Sequence, residues 1–354
     1  VPNGLVKGPL FYPISMIEAG ETMPNAESTH FSWYRRPLKY VADLRPEYTI
    51  YGTSFALALA FFALFFQSAW GDYRHTLKES YITAGSYNKI LEEYVLRTLG
   101  AIDILLAGEA EHAKIHLSSA ETRHGAYGHR LVQATNAIPA IWGRVVIGQD
   151  GVLLAQSRPL SPPPGGYSET PFFRTHRQGE SEGLFIGAPF YSPSAERWFV
   201  GFSRRLSCSG GRFCGAILAL VPPGFMKEFI AGMNVSPDSL FALIRSDGVV
   251  LASEPPESLK PGEDLSGNSL FSRIIYLTES GVYETTDPAT GRARISGFRR
   301  LEAYPLVVAF SLDFHHALAG WREEQEWKLV FTLVGALLSL AMAQLLVRMI
   351  RARH

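Results

Sequence analysis

Val145-Val-Ile-Gly-Gln-Asp-Gly-Val-Leu-Leu-Ala155 decides the fold, because it reappears 97 residues later as Ala242-Leu-Ile-Arg-Ser-Asp-Gly-Val-Val-Leu-Ala252. In each copy an Asp-Gly pair separates two apolar runs. Asp-Gly accepts the positive φ angles of tight hairpin turns, so each copy predicts two antiparallel strands. Gly201-Phe-Ser-Arg-Arg-Leu206 and Gly297-Phe-Arg-Arg-Leu301 repeat in the same order at an offset of 96. Two matched blocks predict two tandem modules, each built on an antiparallel sheet.

Helical patterns lie before and after these repeats. Asp72 to Ala107 contains no proline, and its apolar residues recur at helical spacing. A shorter helical pattern runs from Asp313 to Trp327. The predicted fold class is therefore α+β, with two tandem antiparallel-sheet modules that follow a long N-terminal helix at 71–107.

Two long uncharged runs flank this region, Tyr48–Trp70 with 23 residues and Leu329–Val347 with 19. A helix of 23 residues is about 34 Å long and can cross a hydrocarbon core of about 30 Å. A buried helix in a soluble core is the alternative, but lengths of this order favour transmembrane helices. We place them at 47–70 and 327–348.

Basic residues lie on the outer side of both runs, which sets the expected orientation. The positive-inside rule places both termini in the cytoplasm and residues 71–328 outside. A cleaved signal peptide is the rival for the first run, but more than 40 residues precede it, too many for a signal n-region. The basic residues are Arg35, Arg36, Lys39, Arg45, Arg348, Arg351 and Arg353.

The ends of the chain predict short cytoplasmic segments. Residues 1–46 contain six prolines and no clear period, which indicates a cytoplasmic tail. The chain begins with Val, and 349–354 would be the start of a second cytoplasmic segment. A fragment of a longer protein, or an unusual start codon, would explain both ends.

Cys208 and Cys214 are the only cysteines and flank Ser-Gly-Gly-Arg-Phe in a predicted hairpin. A three-residue loop would place the two thiols opposite each other for a disulfide, which an oxidising compartment permits. A two-residue Gly-Gly turn would leave them out of register as free thiols. The sequence leaves both arrangements open.

Motifs for catalysis are missing from the sequence: there is no nucleophile elbow, phosphate loop, zinc-protease helix or Cys-x-x-Cys pair. His112 and His116 have the spacing of metal ligands on a helix, without an evident third ligand. Asp150 and Asp247 are explained by their turns. We therefore expect no catalytic residue, cofactor, metal or nucleic-acid partner.

Residues 70–325 resemble the double Cache sensor domains, which are tandem PAS-like modules of bacterial receptors. The resemblance is closest to the version that precedes diguanylate cyclase and histidine kinase modules. It implies a membrane-distal PAS-like module at 108–222 and a membrane-proximal one at 223–326. The motifs that carry it are Asp150-Gly151, Thr170-Pro-Phe-Phe-Arg-Thr-His176, Phe185-Ile-Gly-Ala-Pro189, Trp198-Phe-Val-Gly-Phe-Ser-Arg-Arg205, Gly211-Arg-Phe-Cys-Gly-Ala216, Asp247-Gly248, Leu306-Val-Val-Ala-Phe-Ser-Leu312 and Trp321-Arg322.

The resemblance also implies a ligand pocket over one face of the distal sheet. The amino-acid-binding branch has an Arg-x-Trp-Tyr motif, whose positions here read Thr170-Pro-Phe-Phe173, and the following strand Ala216–Leu220 lacks an acid. An amino-acid ligand is therefore disfavoured. By position, the implied pocket residues are Phe172, Phe173, His176, Tyr191, Trp198 and Arg204.

These pocket residues also have plainer interpretations. Arg204 and Arg205 are neighbours on a predicted strand and point to opposite faces, so one of them could grip an anionic ligand. Both could instead be structural ion-pair residues. The aromatic residues could be ordinary core, and His176 and His124 could be pH sensors or surface residues.

The function we predict is the ligand-sensing input region of a bacterial transmembrane receptor. It would cross the inner membrane twice, with residues 71–328 in the periplasm. A diguanylate cyclase or histidine kinase module would follow His354. The alternative is a membrane-anchored periplasmic binding or scaffold protein without an output module. The expected partners are a small-molecule ligand, with anions among the candidates, membrane lipid and a second copy of the chain.

Overall fold

The structure is a computed structural model that describes residues 46–116, 138–179, 183–233, 235–268, 271, 277–287 and 290–353. Its first element is a single helix of 71 residues, α1 (Pro46–His116). The first uncharged run forms its exposed N-terminal part, and the apolar pattern after Asp72 forms its partly buried remainder. The basic residues expected in the N-terminal tail, His124 and the side chains of His112 and His116 lie outside the described residues.

The first antiparallel sheet follows α1 and has the strand order β2-β1-β6-β5-β3, with β4 paired to β5. Helix α2 (Pro171–Gln178) lies in the connection between β2 and β3. Its strands are β1 (Gly143–Gly148), β2 (Leu153–Gln156), β3 (Phe185–Ile186), β4 (Phe190–Ser192), β5 (Arg197–Ser207) and β6 (Phe213–Val221).

The second antiparallel sheet has the order β8-β7-β11-β10-β9. The short helix α3 (Lys227–Ala231) leads into it, and α4 (Phe314–Ala317) and α5 (Ala319–Arg353) follow it. Its strands are β7 (Leu240–Arg245), β8 (Val250–Glu254), β9 (Ser280–Thr286), β10 (Ala293–Arg300) and β11 (Leu306–Asp313).

The two repeated Asp-Gly pairs occupy corresponding turns. Asp150-Gly151 joins β1 to β2 and Asp247-Gly248 joins β7 to β8, with Gly151 at φ +81° and Gly248 at φ +97°. Both hairpins have a register shift on the first strand, next to Ile147 and Ile244. The prediction of an α+β chain with two antiparallel sheets and a long N-terminal helix is confirmed.

One face of each sheet packs against the same side of α1. The helix contributes apolar residues at spacings of three and four, which form one continuous stripe. Phe202 and Ile217 of the first sheet belong to the same core cluster as this stripe. Phe241 and Phe310 of the second sheet belong to it too and contact the Tyr87 ring of α1. The stripe consists of the buried residues Leu91, Val95, Leu99, Ile102 and Leu106.

A disulfide joins Cys208 and Cys214 across the β5–β6 hairpin, with their Cα atoms 5.8 Å apart. The backbone N–H of Cys208 donates to the Arg212 carbonyl at 2.9 Å, which closes a loop of three residues. Of the two arrangements that the sequence leaves open, the structure has the disulfide.

Helix α5 returns antiparallel to the first part of α1. At one end of this helix pair, Lys328 Nζ lies 2.7 Å from Asp72 Oδ2, and the Trp321 indole donates to the Ala69 carbonyl at 3.2 Å. At the other end, Arg351 Nε donates to Glu47 Oε1 at 2.9 Å. Both helices are long and apolar enough to cross a bilayer, judged by length and composition.

Replacing Gly215 by Ala tests the tight contact between β6 and β1. Gly215 has φ +140°, and a Cβ there would lie 2.0 Å from the Ile147 carbonyl oxygen. We expect Gly215→Ala to lower the free energy of unfolding by at least roughly 1–3 kcal/mol, the usual cost of such backbone strain. Thermal unfolding of the detergent-solubilised chain measures this.

The matched control is Gly224→Ala, because nothing lies within 4 Å of a Cβ at that position. Equal melting temperatures for Gly215→Ala and Gly224→Ala would contradict the contact.

Candidate ligand-binding site

The chain between β2 and β5 folds over the outer face of the first sheet and forms a partly open cavity of about 860 Å³, here called the distal cavity. Gly201 of β5 and Leu218 of β6 form its floor. Its walls are Leu160, Ser161, Pro162, Pro163, Pro164, Tyr167, Thr170, Pro171, Phe172, Phe185, Gly187, Ala188, Pro189, Phe190, Tyr191, Ser192, Pro193 and Ser194.

The space above the floor depends on Gly201. A Cβ at this position would lie 3.0 Å from Leu218 Cδ1 and 3.8 Å from the Phe190 ring. The Gly201 carbonyl also accepts a hydrogen bond from the Gly187 N–H at 2.8 Å, which holds the wall segment close to the strand. A glycine in this strand therefore permits both the cavity and the close approach of its wall.

Six prolines form much of the wall. Because proline fixes its φ angle, this loop has few conformations with or without a ligand, so a ligand binds to a largely ordered surface. One hydrogen bond links two segments of the wall, because the backbone N–H of Ser161 donates to Ser194 Oγ at 3.1 Å. Thr170 Oγ donates to the Tyr167 carbonyl at 2.5 Å, within the turn before α2. The prolines are Pro162, Pro163, Pro164, Pro171, Pro189 and Pro193.

The lining described by the structure carries no charged side chain. Its polar side chains are hydroxyl groups, of which Tyr167 is the most buried. The Tyr167 hydroxyl has no hydrogen-bond partner among the described residues, and burial raises the pKa of this phenol above its ordinary value. The cavity thus presents apolar and aromatic surface with a few neutral hydrogen-bonding groups.

Two of the residues implied by the resemblance, Phe172 and Tyr191, line the distal cavity. Trp198 lies beside it, in edge contact with Tyr191 at 5.9 Å between ring centroids. Phe173 is fully buried beneath the cavity and packs edge-on against Phe213 at 5.3 Å.

His176 is also fully buried, and its Nε2 lies 2.9 Å from Ser203 Oγ. The structure therefore places His176 on the sheet face that also carries the cavity floor, without a position in the lining. Helix α2 explains this: Phe172 points up to the cavity, while Phe173 and His176 share the helix face that packs on the sheet.

Arg204 points to the opposite face of the sheet, toward α1. Its guanidinium binds the Asp103 carboxylate through two bonds, Nε–Oδ1 at 2.5 Å and Nη2–Oδ2 at 2.9 Å. The hydrogen bonds that Arg204 donates to the Asp103 carboxylate raise the pKa of Arg204. A strand alternates its faces, so the face that holds Phe202 against α1 also holds Arg204 there.

Arg205 points to the outer face but does not reach the cavity. Its guanidinium donates to the His176 carbonyl and lies over the Phe213 ring at 5.0 Å from the centroid. Neither arginine of the pair lines the distal cavity, so an anion there would have no cationic side chain among the described lining residues.

Helix α1 also binds two further arginines of the strands. Arg299 Nε of β10 lies 2.6 Å from Glu92 Oε2, and Arg144 Nη1 of β1 lies 3.1 Å from Glu109 Oε1. Asp103 therefore belongs to a series of acidic residues on α1 that hold both sheets. Sequence reasoning missed these acids, although their positions relative to the apolar stripe could have been worked out from the helical period.

Comparison with known proteins agrees with this fold. Residues 224–311 match the family model described as a histidine kinase sensor domain (dCache_1-like). The extracellular domain of rpHK1S-Z16, a chain assigned as a histidine kinase, is 26% identical with a TM-score of 0.61, covering 69% of this chain and 99% of that one. No curated protein matches this chain.

Two further solved structures share the fold at lower identity. The ligand-binding domain of the amino acid chemoreceptor PctB from Pseudomonas aeruginosa PAO1, in complex with L-Gln, is 16% identical with a TM-score of 0.53, covering 67% of this chain and 92% of that one. The extracellular domain of mmHK1S-Z3, also assigned as a histidine kinase, is 16% identical with a TM-score of 0.52, covering 70% and 98%.

Residues 224–311 of this chain therefore match a Cache-type sensor domain of histidine kinases. The described fold is similar to the extracellular domains of histidine kinases and to the ligand-binding domain of a chemoreceptor.

A double-mutant cycle on Arg204 and Asp103 tests the placement of this arginine. We expect Arg204→Gln and Asp103→Asn each to destabilise the fold, with a coupling energy of about 1 kcal/mol, as for partly exposed ion pairs in good geometry. Urea unfolding of the two single variants, the double variant and the wild type gives this energy.

Arg300→Gln serves as the control, because Arg300 is more exposed and lies 3.9 Å from its carboxylate partner Glu279. A coupling energy of zero between Arg204 and Asp103 would mean that the pair does not fasten β5 to α1.

Proposed function

We propose that this chain is the ligand-sensing region of a bacterial transmembrane receptor, with tandem PAS-like modules at 108–222 and 223–326. The input is a small molecule bound in the distal cavity. The observation that carries the proposal is the cavity itself, which lies between a proline-rich segment and the sheet face opposite α1. Clefts of this size with apolar walls and a few polar groups are characteristic of small-molecule sites.

The chemistry of the lining favours an uncharged ligand with an apolar or aromatic body. A free amino acid or another ion would lose hydration on entry without gaining a charged partner among the described lining residues. Phe172, Phe190 and Tyr191 offer ring faces and edges, and the Ser192 and Thr170 hydroxyls can orient a carbonyl or hydroxyl group. The anchoring role expected for Arg204 has less support than this arrangement, because its guanidinium faces α1.

Transmission to the membrane would follow the contacts of β5. Gly201 lies at the cavity floor, and Arg204, three residues further on, binds Asp103 of α1. A ligand shifts a conformational equilibrium only if it binds the two states unequally. Closure of the cavity wall would move β5, and with it α1 against α5 and against a second copy of the chain in a homodimer.

The proposed topology has residues 71–328 in the periplasm and both termini in the cytoplasm, where a histidine kinase or diguanylate cyclase module would follow His354. The Cys208–Cys214 disulfide supports an oxidising compartment for the sensor domain. The Lys328–Asp72 and Arg351–Glu47 pairs, at the two ends of the apolar helix pair, support two antiparallel membrane crossings.

Ligand screening tests the assignment of the distal cavity. We expect uncharged aromatic or cyclic compounds to raise the melting temperature of the detergent-solubilised chain, and free amino acids to leave it unchanged. Phe172→Ala should weaken such binding by roughly tenfold, because the ligand loses about 1–2 kcal/mol of apolar contact.

Leu277→Ala is the control, because Leu277 is largely exposed and lies outside the distal cavity. If Phe172→Ala and wild type bound every stabilising compound equally, the distal cavity would not be the input site.

Reporter fusions test the proposed topology independently of any ligand. A reporter that is active only in the periplasm should be active near Ser280 and inactive at Arg36 or after His354, as the positive-inside rule requires. The reverse pattern of activity would contradict this orientation.

A further inference from the structure

A second pocket, of about 480 Å³, lies where the second sheet meets α5, and we call it the juxtamembrane pocket. It is formed by the start of β10, the end of β11, α4 and the first turn of α5. Arg292 and Arg322 lie on two sides of it, and Phe314 and Leu318 form an apolar wall.

The juxtamembrane pocket is at the level expected for lipid head groups. Arg322 precedes Trp327, the first residue of the second apolar span, by five residues, or about 7.5 Å of helix. The head-group layer extends roughly 5–8 Å beyond the hydrocarbon core on each side. Trp327 and Trp70 are exposed at this level, as in the aromatic belts of membrane proteins.

The charges of the pocket favour an anion. Asp313 is buried, and its Oδ1 already accepts from the backbone N–H groups of His315 and His316 at 2.8 and 3.3 Å. Arg292, largely exposed at the rim, reaches the other oxygen, Oδ2, only at 4.0 Å. This long contact leaves most donors of the Arg292 guanidinium directed toward solvent.

Arg322 supplies the second cation. Its guanidinium lies against the His315 ring, with Nη1 2.8 Å from Nδ1, and donates to the His315 carbonyl. Its Nε is buried and has no hydrogen-bond partner among the described residues. Two guanidinium groups against one carboxylate give the pocket a net positive charge, and guanidinium groups match the oxygens of a phosphate.

We propose that the juxtamembrane pocket binds the phosphate group of an anionic phospholipid in the outer leaflet of the membrane. Arg292 and Arg322 bind the phosphate oxygens, and the glycerol and first acyl carbons lie against Phe314 and Leu318. Free phosphate has the same anionic chemistry but would leave this apolar wall uncovered. The proposal rests on the membrane topology given above and is independent of the ligand in the distal cavity.

Native mass spectrometry of the full chain, released from vesicles of phosphatidylglycerol and phosphatidylcholine, measures the lipid that stays bound. We expect wild type to retain phosphatidylglycerol preferentially. The double variant Arg292→Gln, Arg322→Gln should retain roughly tenfold less, because each basic residue near a membrane surface contributes to anionic lipid binding. Arg292→Lys, Arg322→Lys keeps the charge and should restore most of the retention.

The matched control is Arg300→Gln, at the opposite end of β10 from the pocket. Equal retention of phosphatidylglycerol by wild type and the double Gln variant would overturn the proposal. Inorganic phosphate and glycerol 3-phosphate added at equal concentration distinguish the two sources of the anion. If phosphate alone displaced the lipid completely, the site would be one for free phosphate and the lipid assignment would be wrong.

Discussion

The buried stripe of α1 is the constraint on which the rest of the structure depends. Both sheets have an apolar face that would be exposed without it, and both cover that face with the same helix. Arg299 and Arg204 bind Glu92 and Asp103, which lie three helical turns apart on this helix, so each sheet is also fastened to it by an ion pair. The first apolar span and this stripe belong to one unbroken helix, so a displacement of either sheet would also move the apolar part of α1.

The first sheet lies between the distal cavity and α1. Its outer face carries the distal cavity and its inner face carries the contacts with α1. Gly201, in the floor of the distal cavity, and Arg204, which binds Asp103 of α1, are only three residues apart on β5. This proximity gives a physical route by which occupancy of the cavity can alter the position of α1, provided that the open and closed states bind the ligand unequally.

The sequence predicted the parts of the fold that depend on local patterns. The repeated Asp-Gly pairs gave the two hairpins, and the two uncharged runs gave the long exposed helices. The sequence could not show which face of β5 packs against α1. Phe199, Val200 and Phe202 form an almost continuous apolar run, because this strand is covered on both sides. Arg204 was therefore a candidate for the pocket, whereas its partner Asp103 lies 101 residues earlier. The sequence analysis did not identify the proline-rich wall, because its approach to Gly201 is a tertiary contact.

Hydrogen exchange of the full chain, with and without a compound that raises its melting temperature, tests the central claim most directly. Slower exchange is expected in the cavity wall at 160–194 and in β5, together with a change in α1 around Asp103. Phe172→Ala should abolish all of these changes at the same compound concentration. Protection confined to the second sheet, or protection of the cavity wall with no change in α1, would contradict a signal that passes from the distal cavity to the helix.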